Sequence, residues 1–266
     1  MPLPPICGEM AIKEGYMMPF ILFISCMAII GFSIYLTRKG VIKPKIRRLP
    51  AIDAIDEAVG RATELGRPVH YTVGLGSVSN VQVIAGLSIL SYVARKCAEY
   101  DTRLIVTFSV PNVQPVVMDL VKEAYMAAGK PENFKPEDIR WLSDRQFSFA
   151  TGVMGIIMRE KVAANLLLGY FAAESLIFAE AGFRAGAIQI AGTTNSYQIP
   201  FFVTTCDYTL ISEELIIAGA YISQIPEQVG TIFGQDLIRL ITVALIVIGS
   251  ILYAVGFKDF YLWLNM

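Results

Sequence analysis

Two uncharged apolar runs bracket this chain, residues 17–36 and roughly 240–257. Each has about the 18–20 residues that a helix needs to cross a ~30 Å hydrocarbon core. The segment between them is too polar to lie in a membrane and too apolar to be a linker. The expected layout is therefore a folded domain tied to one membrane face at both ends. It comprises an external N-terminus (1–16), a first span (17–36), a basic linker (37–49), an α/β domain (50–232), a second span (237–257) and an external C-terminus (258–266).

Charge sets the orientation. A secretory signal carries positive charge ahead of its apolar region, but here Glu9, Lys13 and Glu14 precede the first run and Arg38, Lys39, Lys43, Lys45, Arg47 and Arg48 follow it. Lys and Arg next to a span stay in the cytoplasm. The central domain is thus expected inside, with both termini outside the plasma membrane. Tyr35 at one interface, and Phe260, Tyr261 and Trp263 at the other, suit an aromatic belt. The basic cluster reads as an orientation signal, with an anionic-lipid or partner site as the alternative.

Hydrophobic residues make up 55% of the chain and charged residues 17%, an apolar excess that two spans alone do not use up. The formal net charge of −1 leaves no nucleic-acid footprint. Cys7, Cys26, Cys97 and Cys206 are scattered without a CxxC pair, so no structural disulfide is expected. An intermolecular pair through Cys7, the one cysteine placed outside, is the alternative.

Periodicity organises the middle. Ile52, Ile55, Ala58, Val59, Ala62 and Leu65 repeat at helical spacing between Pro50 and Gly66. PVHYTVG and RLIVTFSV read as buried strands, with a helix over 81–100 between them. Further helices are predicted over 114–128, 146–160, 174–185 and 210–223. Further strands are predicted at IRWLS, 162–171, 187–191 and 199–205. A connector carrying Pro226 and Gly230 then enters the second span. Alternating strands and helices predict a Rossmann-like, doubly wound α/β domain with a mostly parallel sheet. The short link between 187–191 and 199–205 predicts one antiparallel pair.

Candidate chemistry gathers at predicted strand ends. GLGSVSN (74–80) joins a strand to a helix, where Gly74, Gly76, Ser77, Ser79 and Asn80 could cradle a phosphate. The dinucleotide fingerprint wants a third glycine, and position 79 is Ser, so a capped tight turn is the competing reading. Ser143-Asp144-Arg145, Glu174, Thr193-Thr194-Asn195-Ser196 and Asp207-Tyr208-Thr209 would share the carboxyl edge of a parallel sheet. A Glu174–Asp207 pair could do acid–base work, while helix capping explains each carboxylate alone. His70 lies within a strand, no GxSxG elbow is present, and no metal site, cofactor or catalytic set is expected. Helices 172–185 and 210–223 are apolar around much of their circumference, which predicts burial against another subunit, with Ile217 and Ala218 in the contact, and contact with the membrane surface as the rival reading.

The stretches AIDAIDEAVGRATELGRPVHYTVG (51–74) and AGTTNSYQIPFFVTTCDYTLISEELIIAGAYIS (191–223) resemble an uncharacterised family of prokaryotic membrane proteins, a domain of unknown function. The resemblance implies the two-span layout and a prokaryotic source, and sets Thr193, Asn195, Asp207 and Glu213 inside the motif. It brings no activity. Three functions are therefore expected in order. The first is a membrane-anchored assembly protein forming a cyclic homo-oligomer, in contact with the bilayer and with other membrane-complex subunits. The second is a ligand-sensing or channel-like module, with a nucleotide as one candidate ligand. The third is a membrane-bound enzyme.

Overall fold

A computed structural model describes residues 17–42 and 49–254. The external segments, Cys7, Phe260, Tyr261, Trp263, and Lys43, Lys45, Arg47 and Arg48 of the basic cluster lie outside the described residues.

The chain divides into two compact units. One consists of helices α1 (Met17–Arg38) and α9 (Pro226–Ala254), packed on each other. A Cβ at Gly230 would stand 2.8 Å from Ile34 Cα, and one at Gly234 would stand 3.1 Å from Ile30 Cα. The Gly-xxx-Gly spacing thus lets two backbones approach closely, a common device between apolar helices. Arg38 and Glu227 close one end of the pair at 2.6 Å, and the Lys39 ammonium lies 4.6 Å from the Tyr35 ring centroid. The expected connector at Pro226 and Gly230 is therefore the start of a helix. Proline is tolerated in that first turn, where its missing N–H costs nothing, and Gly230 is used for packing.

The second unit ends at Ser223 and is built on six strands. They are β1 (Val69–Gly74), β2 (Leu104–Phe108), β3 (Ile139–Trp141), β4 (Ala164–Tyr170), β5 (Ile188–Thr193) and β6 (Tyr208–Ile211). All pair in parallel, in the order β3-β2-β1-β4-β5-β6. Helices α2 (Pro50–Leu65), α3 (Val81–Glu99), α4 (Gln114–Ala127) and α8 (Glu213–Ser223) cover one face. Helices α5 (Gln146–Glu160), α6 (Ser175–Ala185) and α7 (Ile199–Thr205) cover the other.

Local sequence explains most of these elements. Helix α2 buries Ile52, Ile55, Ala58, Val59 and Ala62, begins on Pro50 and ends at Gly66 with φ +62°. There the Arg67 N–H closes on Ala62 O at 3.0 Å. Helix α3 passes close over the sheet because Gly86 has no side chain; a Cβ there would lie 2.2 Å from Leu168 O. Three described helices are long and apolar enough to cross a membrane: α1, α3 and α9. Helix α3 is more than half buried, and its Val83, Ile89, Leu90 and Val93 side chains are fully enclosed in the sheet's core.

The antiparallel pair is contradicted. Residues 199–205 form helix α7, which supplies the crossover between β5 and a sixth parallel strand at 208–211. Pro200 falls in its first turn, and Phe202 alone in the helix is buried. The predicted helix 210–223 therefore begins only at Glu213.

Candidate functional site

In a sheet of this order the chain turns in opposite directions from β1 and β4. The crevice beyond their carboxyl ends is where ligands bind in open parallel sheets. The loops after β1, β4 and β5 meet there. Leu75 N–H donates to Tyr170 O at 2.9 Å, and Asn195 Nδ2 donates to Phe171 O at 2.9 Å. Gln82, on the first turn of α3, accepts from Thr193 Oγ1 at 2.8 Å and from Thr194 N at 2.9 Å. Of the residues expected at this edge, Gly74 and Thr193 end β1 and β5, and Gly76, Ser77, Ser79, Asn80, Glu174 and Asn195 lie on these three loops.

The two glycines are needed by the protein itself. Gly74 has φ +78°, and a Cβ there would lie 2.1 Å from Tyr170 O; a Cβ at Gly76 would lie 2.5 Å from Val83 Cγ2. A side chain at either position collides with protein, so such a substitution cannot report on a ligand. Asn80 caps α3, its Oδ1 accepting from Gln82 N at 2.9 Å. Ser77 and Ser79 bond each other at 2.8 Å and remain exposed to solvent.

Glu174 is fully buried at the head of α6. Its Oε1 accepts from Ala172 N at 2.8 Å and its Oε2 from Gln146 Nε2 at 2.7 Å, tying the β4–α6 turn to α5. Asp207 does not join it. Because 199–205 is a helix, Asp207 precedes β6 instead of following a strand, and its Oδ2 accepts from Gln189 N at 2.7 Å near the start of β5. The two carboxylates thus stand at opposite edges of the sheet, and the acid–base pair is ruled out. No group of three His, Cys, Asp or Glu among the described residues could hold a metal.

The sequence reading missed a row of polar side chains crossing the sheet beneath α6. His70, Asn165 and Gln189 occupy one register on β1, β4 and β5, and all are buried. Asn165 Nδ2 donates to Gln189 Oε1 at 3.0 Å, so Asn165 Oδ1, 2.8 Å from His70 Nδ1, must accept. His70 therefore carries its proton on Nδ1, and its Nε2 accepts from Thr107 Oγ1 at 2.9 Å. Gln189 Nε2 ends the row on Ala179 O and Thr205 O. Burial drives the His70 pKa down to about 4, with the Asn165 hydrogen bond opposing and Arg140 adding a small push, so the ring is neutral. Gly182 makes room for the row, since a Cβ there would lie 2.2 Å from Gln189 Oε1. The sequence signal was a polar residue with a long side chain in the second position of each strand, in VHYT, ANLL and IQIA.

Helix α8 is also spent internally. Ala218 is fully buried and Ile217 packs against the core, so that face is not free for a subunit contact. Helix α6 differs, exposing Leu176 and Phe183 on one side.

Residues 9–263 match a family described as a domain of unknown function (DUF6754). The chain belongs to that family. The match spans both helical ends and the whole α/β unit. No curated protein and no solved structure matches the chain.

Proposed function

We propose that this DUF6754 chain is a membrane-anchored assembly protein whose Rossmann-like unit self-associates through its α5–α6–α7 layer. The observation that carries the reading is the outer surface of that layer. Phe147, Met154 and Met158 on α5, Leu176 and Phe183 on α6, Tyr197 before α7, and Phe201 and Val203 on it are all exposed, Phe183 by 78% and Tyr197 by 83%. A fully buried aromatic contributes roughly 150–250 Å². The exposed fractions then amount to about 800 Å², the area one partner brings to a standard-size interface. On the opposite layer, α2 and α4 present Asp53, Glu57, Arg61, Asp119, Lys122 and Glu123 among the exposed apolar residues Leu65, Val81, Ile84, Met126 and Ile216.

A second copy is the occupant that membrane anchoring favours. Helices α1 and α9 have the length and composition of spans, and anchoring confines copies to a plane, where weak lateral contacts become productive. Arg38 in the last turn of α1, and Lys39 just after it, support a cytoplasmic α/β unit with both termini outside; the prokaryotic plasma membrane rests on the family resemblance alone.

Cysteine cross-linking in native membranes tests the reading. Phe183→Cys should give a cross-linked dimer of this chain, while Lys122→Cys on the charged layer should not. Equal cross-linking at both positions, or none at Phe183→Cys, contradicts it.

The strand order favours one second reading, a ligand in the crevice beyond β1 and β4. It is tested by nucleotide titration of the purified protein, with the thermal midpoint as readout. A flat response removes nucleotides as candidates.

A further inference from the structure

At the sheet edge opposite the glycine turn, the connector between α4 and β3 roofs a cavity of about 300 Å³. That is the lower end of the range for small-molecule sites, room for a single ring. Its walls are mixed: Cys97 from α3, Val121 and Tyr125 from α4, Leu104 and Ile139 from the strand starts and Phe134 from the roof form the apolar part, and Asp101, Thr102, Arg103, Asn133, Lys135 and Asp138 form the polar part. Tyr125 is only 4% exposed, and its ring meets Phe134 edge-on with centroids 6.2 Å apart.

Two groups here have no counterpart in the protein. The first is the Tyr125 hydroxyl, which has no hydrogen-bond partner among the described residues. Every described side-chain N or O sealed from water has a partner, so this oxygen is reached by a water-sized probe, and Tyr125 lines the cavity. Burial, with Cys97, Asp138 and Asp101 nearby, raises the phenol pKa, which keeps the hydroxyl a donor. The second is Lys135 at the mouth. The other charges there are matched. Asp138 is held by Arg103 at 2.6 Å and by Arg140 at 2.9 Å, Arg103 also meets Glu160 at 2.9 Å, and Asp101 is held by Lys130 at 2.7 Å. Lys135 has no ion-pair partner among the described residues.

The geometry points to a binding site for a small organic anion with an apolar body. Its ring or branched chain would lie against Val121, Phe134 and Ile139, and its carboxylate would accept from the Tyr125 hydroxyl and face Lys135. This site is independent of the self-association surface and of the crevice at the carboxyl edge.

The probe is 4-fluorobenzoate, observed by ¹⁹F NMR with the full chain in mild detergent and empty micelles as the blank. Its resonance should broaden saturably with wild type. Losing the charge in Lys135→Gln or the donor in Tyr125→Phe should weaken binding about 5-fold each, the worth of one such interaction. Lys122→Gln, outside the cavity, should leave binding unchanged. Tyr125→Phe should also unfold at the same temperature as wild type or higher, because a hydroxyl without a partner contributes no stability. Broadening equal to the micelle blank overturns the proposal, as does binding unchanged in both cavity variants. Equal binding of neutral 4-fluorobenzamide overturns the anion assignment.

Discussion

His70 makes the α/β unit acid-sensitive through a single residue. Its pKa in the fold is about 4, against 6.5 for a free imidazole, because burial disfavours the charged ring. Above pH 6.5 both folded and unfolded chains hold it neutral. Between 6.5 and 4 the unfolded chain takes up a proton that the folded chain refuses, so stability falls as pH falls through that window. The expected loss is about 3 kcal/mol, from a shift of this size at 1.36 kcal/mol per unit. Urea midpoints followed by Trp141 fluorescence at pH 7, 5.5 and 4.5 measure it, and His70→Gln should flatten the dependence. Gly182 offers a second check at this scale. In Gly182→Ala the new methyl would fall 2.2 Å from Gln189 Oε1 and 2.7 Å from Asn165 Nδ2. The row must then break or α6 must lift, which is expected to cost about 2–4 kcal/mol in the same urea measurement. An alanine variant as stable as wild type would show that the row does not constrain α6.

Among the elements, α6 and α8 look alike in sequence, and the structure buries them differently. Ala218 of α8 is fully buried, so Ala218→Arg forces a charge into the core and should unfold the α/β unit, with collapse of its far-UV dichroism. Phe183 of α6 is 78% exposed, so Phe183→Asp should leave the dichroism and the urea midpoint within about 0.5 kcal/mol of wild type while weakening self-association. A Phe183→Asp variant that unfolds would mean that the residue supports the core. Helix periodicity made most elements legible, α2 and α5 almost to the residue. The failure at 199–205 has a physical cause. IPFFVTT has the composition of a strand, but it forms a helix that keeps Phe202 inside and Phe201 and Val203 outside. Intrinsic strand preference gave way to tertiary context. That one element then misplaced β6 and, with it, Asp207.

For the whole molecule, strand alternation made a parallel sheet legible, while the order β3-β2-β1-β4-β5-β6 rests on long-range pairings that local patterns do not encode. The carboxyl-edge loops were found in advance, because glycines and small polar residues at strand ends mark them. What those residues do was not: Gly74 and Gly76 answer to Tyr170 and Val83, and Glu174 to Gln146. Such partners lie far off in sequence. The apolar excess was legible as composition, and the structure exposes part of it on α5, α6 and α7, with Val81, Ile84 and Met126 exposed on the other layer and much of α1 and α9 exposed as well. Self-association is the central claim, and the mass of the full chain is its most direct test. Multi-angle light scattering in mild detergent at micromolar concentration, corrected for bound detergent, is expected to give a multiple of 29.3 kDa that falls toward a single chain in Phe183→Asp. A wild-type mass of 29.3 kDa across the concentration range would contradict the account.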